Sequence, residues 1–85
     1  MYRVEIMDGA ERDFEQLDKP TAQRIRGRLL CLADHMEEIA PEKLSGPLAD
    51  LFKFRVGDYR VLYDVLRQEQ IIVVHRVRHR REIYR

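Results

Sequence analysis

The chain of 85 residues has little of what small proteins often lean on. A single cysteine, Cys31, excludes a disulfide within the chain and fits a reducing compartment. No apolar run approaches the roughly 20 residues needed to span a bilayer. The opening MYRVEIMDGAERD carries acids where a signal peptide needs an apolar stretch, so a cytoplasmic protein without a membrane partner is expected. Three histidines, His35, His75 and His79, show no metal-ligand spacing with one another or with Cys31. A Walker loop, a dinucleotide fingerprint and a serine at a nucleophile elbow are all missing. No metal and no cofactor is therefore expected. No repeat, low-complexity segment or long linker divides the chain, which predicts one domain over 1–85 with one modest core.

What the chain has in quantity is charge, 36 % of its residues, and that charge is uneven. Residues 1–42 hold 6 Lys/Arg against 10 Asp/Glu, or −4, whereas 43–85 hold 10 against 5, or +5. The formal total of +1 hides this asymmetry. A basic second half points to an anionic partner.

Periodicity supplies the elements. Tyr2, Val4 and Ile6 alternate with Arg3, Glu5 and Met7, the period of a half-buried strand. Asp8 is expected to cap a short helix that turns Ala10, Phe14 and Leu17 to one face. Lys19-Pro20 ends it, and proline suits the first turn of the next helix. There Ile25, Leu29, Leu32 and Met36 form a stripe at spacings of 4, 3 and 4. Ile39–Pro47 reads as a loop. Beyond it the period becomes two: Leu51–Val56, a reversal at Gly57-Asp58, then Tyr59–Leu66, a polar turn at 67–70, and Ile71–Val77. The last eight residues, RHRREIYR, form a basic end. The predicted fold class is α+β with the order β-α-α-β-β-β, a helical hairpin packed on one face of a mainly antiparallel sheet.

If Phe52, Phe54 and Val56 face the helices, the pleat forces Lys53 and Arg55 to the opposite face. Arg60 lies near Arg55 across the turn, and the basic end can bring His79, Arg80 and Tyr84 to the same trough. Lys43, Arg76, Arg78 and Arg81 are flanking candidates for holding a phosphate backbone. Like charges so placed repel, and a phosphate relieves the repulsion. A solvated face that discourages aggregation has the same composition, so pattern alone leaves both readings open.

Three segments carry a resemblance. Lys-Leu-x-Gly at 43–46, Arg-Val-Gly-Asp-Tyr-Arg-Val-x-Tyr at 55–63 and His-Arg-Arg-Glu-Ile-Tyr at 79–84 closely resemble the RelE/ParE superfamily of toxins from type II toxin–antitoxin pairs. The first strand and two helices fit as well. The RelE-like branch cleaves mRNA in the ribosomal A site without a metal, and the ParE-like branch poisons DNA gyrase. Lys53, Arg55, Arg60, Arg80 and Tyr84 match the RelE-like set, which implies an endoribonuclease that inhibits translation. The resemblance also implies a cognate antitoxin, ribosome and mRNA as partners, and operator DNA bound only through the antitoxin complex.

On this resemblance Lys53, Arg55 and Arg60 stabilise the phosphorane, Arg80 stands by the leaving oxygen, and Tyr84 stacks on a base or holds its sugar. One departure is Arg55, where some RelE toxins carry lysine; arginine stays protonated and is a poor general base. Proton transfer then falls to Lys53 or His79. The competing expectations are a ParE-like gyrase inhibitor and a non-catalytic, toxin-derived co-repressor module.

Overall fold

The computed structural model describes residues 1–38, 42–43 and 51–83, with 42–43 and 82–83 described at the backbone. The elements are β1 (Arg3–Ile6), α1 (Asp8–Glu15), α2 (Lys19–Asp34), a short 3-10 turn (Met36–Glu38), β2 (Glu42–Lys43), β3 (Phe52–Val56), β4 (Tyr59–Leu66), β5 (Ile71–His79) and α3 (Arg80–Ile83). The sheet order is β1-β5-β4-β3-β2, with β1 parallel to β5 and the other pairs antiparallel. This is the α+β architecture that the periodicity predicts, with two additions. A two-residue edge strand, β2, pairs with β3 inside the segment read as loop, and one helical turn, α3, follows β5 where a basic tail is expected.

The helix starts follow capping chemistry. The N-cap of α1 is Met7, without a side-chain bond, so Asp8 is the first helical residue rather than the expected cap. Asp18 caps α2 by accepting from the Thr21 N–H at 3.4 Å, with Pro20 in the first turn. The predicted stripe of Ile25, Leu29, Leu32 and Met36 is buried. It meets Tyr2, Val56, Val61, Tyr63, Ile72, Val74 and Val77 from one sheet face. Each fully buried aliphatic here contributes about 1.5–3 kcal/mol. The Arg26 guanidinium lies 4.7 Å from the Phe14 ring centroid, joining α2 to α1. Among the described residues no helix is long and apolar enough to cross a membrane.

Two backbone details position everything that follows. The β3–β4 reversal puts Gly57 at φ +59°, and Asp58 is not in that region. A positive φ at the first central residue only is the pattern of a type II′ hairpin turn, which suits Gly-Asp in that order. In β5 the register slips by one: Leu62 faces Arg76, whereas Tyr63 faces Val74, leaving His75 as a bulge.

A candidate nucleic-acid interface

The bulge decides which face the basic residues take. Before it, Ile72 and Val74 point to the helices; after it, Val77 does, three residues along instead of two. Without the extra residue Arg76 and Arg78 would have entered the core. With it they fall on the face away from the helices.

Cross-strand pairing then builds a grid on that face. Arg55 pairs with Arg60, and Arg60 pairs with Arg78, so three arginines stand abreast on β3, β4 and β5. One step along, Lys53, Leu62 and Arg76 form a second row. Strands lie about 4.8 Å apart, so neighbouring side chains in a row are within reach of one phosphodiester. Arg55 is exposed and Lys53 and Arg78 are half-buried. Arg60, in the middle, is 6 % exposed, the one buried charged residue among those described. Lys53, Phe54, Arg55 and Arg60 line a cavity of about 110 Å³. A larger depression, about 460 Å³, is lined by Phe52 and residues 64–69 at the far end of the hairpin. Asp64 and Glu69 among its walls make it the poorer site for an anion.

The remaining candidates are distributed differently. His79, expected in the trough, lies opposite Tyr59 on the helix side of the sheet, because β5 runs two residues past Val77 and the pleat alternates. Its ring meets the Tyr59 ring edge-on at 5.3 Å, and its Nδ1 accepts from the Arg81 N–H at 3.3 Å. Arg80 opens α3 at the turn end of the sheet. Its N–H donates to the Asp58 carbonyl at 2.8 Å, and its guanidinium stands 3.8 Å from the Asp58 carboxylate. Arg81 is exposed on the same helical turn. Lys43 is in β2 opposite Phe52, its side chain outside the described residues. Tyr84 also lies outside them.

Arg76 is committed to an acid that no sequence signal singles out. Its Nε and Nη2 donate to the two oxygens of Asp13 on α1 at 2.8 and 3.1 Å, and the Val77 N–H donates to the same carboxylate at 2.8 Å. Burial alone would raise the Asp13 pKa. The bonds from Arg76 and Val77, with the field of Arg76 and Arg78, outweigh it and hold the carboxyl below its ordinary 3.8. Sequence did hold a trace of the bulge, since core valines at 74 and 77 break a period of two.

Known proteins share this fold. A family profile described as the ParE toxin of the type II toxin–antitoxin system, parDE, matches residues 4–84. A search of curated protein sequences gave no match. Among solved structures, the chain is similar to one from the RelBE2 toxin–antitoxin complex of Mycobacterium tuberculosis, with 26 % identity and a TM-score of 0.80 over 92 % of this chain and 96 % of that one. The isolated RelE toxin of E. coli gives 17 % identity and a TM-score of 0.75 over 93 % and 84 %. A YoeB/ParE toxin from Agrobacterium tumefaciens gives 21 % and 0.69 over 91 % and 96 %. The profile spans nearly the whole chain and the fold is shared throughout: the protein belongs to the ParE toxin family of type II toxin–antitoxin systems, within the RelE/ParE superfamily.

Proposed function

We propose that this toxin is a metal-independent endoribonuclease that cleaves mRNA in the ribosomal A site, in the cytoplasm, and so inhibits translation. The observation that carries the reading is the row of Arg55, Arg60 and Arg78, with Lys53 one step along. In the reaction the ribose 2′-oxygen attacks the adjacent phosphorus and the bond to the 5′-oxygen breaks. The products are a 2′,3′-cyclic phosphate and a 5′-hydroxyl. Negative charge grows on the non-bridging oxygens, where each fixed cation contributes on the order of 3–4 kcal/mol. Arg55, Arg60 and Arg78 take that role. Lys53 accepts the 2′-hydroxyl proton. Arg80 stands near the departing 5′-oxygen, which takes a proton from solvent as it leaves, and Tyr84 stacks on a base, a contact worth roughly 1–3 kcal/mol.

An open, cationic sheet face offers charge but little to align the attacking oxygen, and the ribosome supplies that alignment. Purified toxin is expected to cut programmed ribosomal mRNA well and the same RNA free in solution poorly. Mapped A-site cuts that vanish in Arg60→Ala support the reading; equal rates on free and ribosomal RNA defeat the dependence on the ribosome. A cognate antitoxin neutralises the toxin by covering the basic face, as toxins of similar fold occur in complexes with RelB-type partners, and operator DNA is met only through that complex.

The family description, ParE toxin, favours a second reading, the inhibition of DNA gyrase that resemblance to the ParE-like branch implies. It predicts intact mRNA, arrested supercoiling and toxicity that survives Arg60→Ala.

A further inference from the structure

Strand β1 leaves the sheet after Ile6 opposite Val74, so among the described residues no strand pairs with the outer edge of β5 beyond that point. Asp13 fills the gap. Its carboxylate takes the Val77 N–H, the place another residue of β1 would have occupied, and the Nε and Nη2 donors of Arg76. Helix α1 comes close enough because residue 9 is glycine. A Cβ there would stand 3.0 Å from Arg76 Cδ and 3.3 Å from the His75 carbonyl oxygen. Backbone at 77 and side chain at 76 are thereby fixed together, immediately after the bulge. A bulged strand has a locally disrupted ladder, so this is where β5 most needs an outside anchor.

We propose that Asp13 is a positioning residue for the cationic row. By gripping Val77 and Arg76 it holds β5 in the register that sets Arg78 beside Arg60. It also keeps the Arg76 guanidinium turned toward α1 and places negative charge near Arg78, offsetting part of the repulsion within the row. Asp13 touches no substrate; it acts through β5. The catalytic consequence rests on the ribonuclease reading, whereas the geometric one does not.

Asp13→Asn keeps one carbonyl acceptor and loses the charge and the second acceptor. In this variant kcat on programmed ribosomes, per folded molecule, is expected to fall on the order of ten- to hundredfold with KM little changed, because a small displacement of a charge-stabilising group is paid at the transition state. Amide exchange at Val77 quickens, and the cross-strand NMR contact between Arg60 and Arg78 weakens. Asp13→Glu restores part of the rate. The double variant Asp13→Asn with Arg76→Gln loses no more than Asp13→Asn alone, since both cut one clamp. A merely structural Asp13 would lower the melting temperature and leave kcat per folded molecule and the Arg60–Arg78 contact unchanged; that result overturns the proposal. If Asp13→Asn does not fold, Arg76→Gln alone is measured, leaving the Val77 bond in place: a smaller fall in kcat with a weakened Arg60–Arg78 contact supports the proposal, and no change overturns it. Wild-type protein inactive on ribosomes removes the ribonuclease reading only, and the Arg60–Arg78 contact then decides the positioning.

Discussion

Lys53 and Arg55 differ in what they can do at a phosphate, although both bring one positive charge. A guanidinium cannot give up its proton in a protein, so Arg55 stabilises charge and nothing more, whereas an amine can also accept a proton. Lys53→Arg therefore separates the two roles. Binding to programmed ribosomes should be nearly unchanged, and single-turnover cleavage should fall about 10²- to 10⁴-fold, the usual worth of a general base. A near-normal rate with arginine at 53 would reduce Lys53 to a point charge. Asp13 makes a different prediction, in stability. Asp13→Ala removes the carboxylate that accepts from Arg76 and the Val77 N–H and should cost about 2 kcal/mol at neutral pH by urea titration. The folded-state pKa of Asp13 lies below its ordinary 3.8, so the stabilisation is fully present above that value and is lost as pH falls through the lowered one. The gap between wild type and Asp13→Ala should accordingly hold from neutral pH down to about 4 and narrow only in stronger acid.

The hairpin of β3 and β4 is the element on which the row depends, and its geometry rests on Gly57. At φ +59° a side chain costs roughly 1–2 kcal/mol, more when it is β-branched. Gly57→Val, which adds a β-branched side chain, should lower stability by more than that amount in a denaturant titration. It should also loosen the Arg55–Arg60 pair next to the turn, so that cleavage per folded molecule falls too; unchanged cleavage would mean that the pair does not depend on the turn. This hairpin, with β1 and the α2 stripe, was readable in the sequence because each shows an unbroken period: Phe52, Phe54 and Val56 at two, Ile25, Leu29, Leu32 and Met36 at three and four. The outward face of Lys53, Arg55 and Arg60 followed from it. β2 was not readable, since two residues carry no period and its pairing with β3 is a tertiary matter. His79 was misplaced for a related reason. A strand taken to end at Val77 leaves the next residues free to curl to either face, but β5 continues, and two more steps of pleat send Arg78 to the row and His79 to Tyr59. Asp13 had no signature, because its partners lie 63 and 64 residues away along the chain.

At the scale of the whole molecule the charge asymmetry becomes a direction. The row of Arg55, Arg60 and Arg78 belongs to β3, β4 and β5, all within the half that carries +5, and the helices on the other face of the sheet belong to the half that carries −4. Association with single-stranded RNA should therefore weaken with salt, each neutralised phosphate contributing about −0.7 to the slope of log K against log salt. Arg55 is exposed at one end of the row, so Arg55→Ala should fold normally and make that slope less negative by about 0.7. Arg12, exposed on α1, serves as the control: its removal changes net charge by the same amount and should leave the slope alone. Measuring binding of a short unstructured RNA across a salt series for the three proteins distinguishes the two ideas. Equal shifts in both variants would mean that the RNA responds to net charge alone, and the face built by the bulge at His75 would then have no special claim on the phosphate backbone.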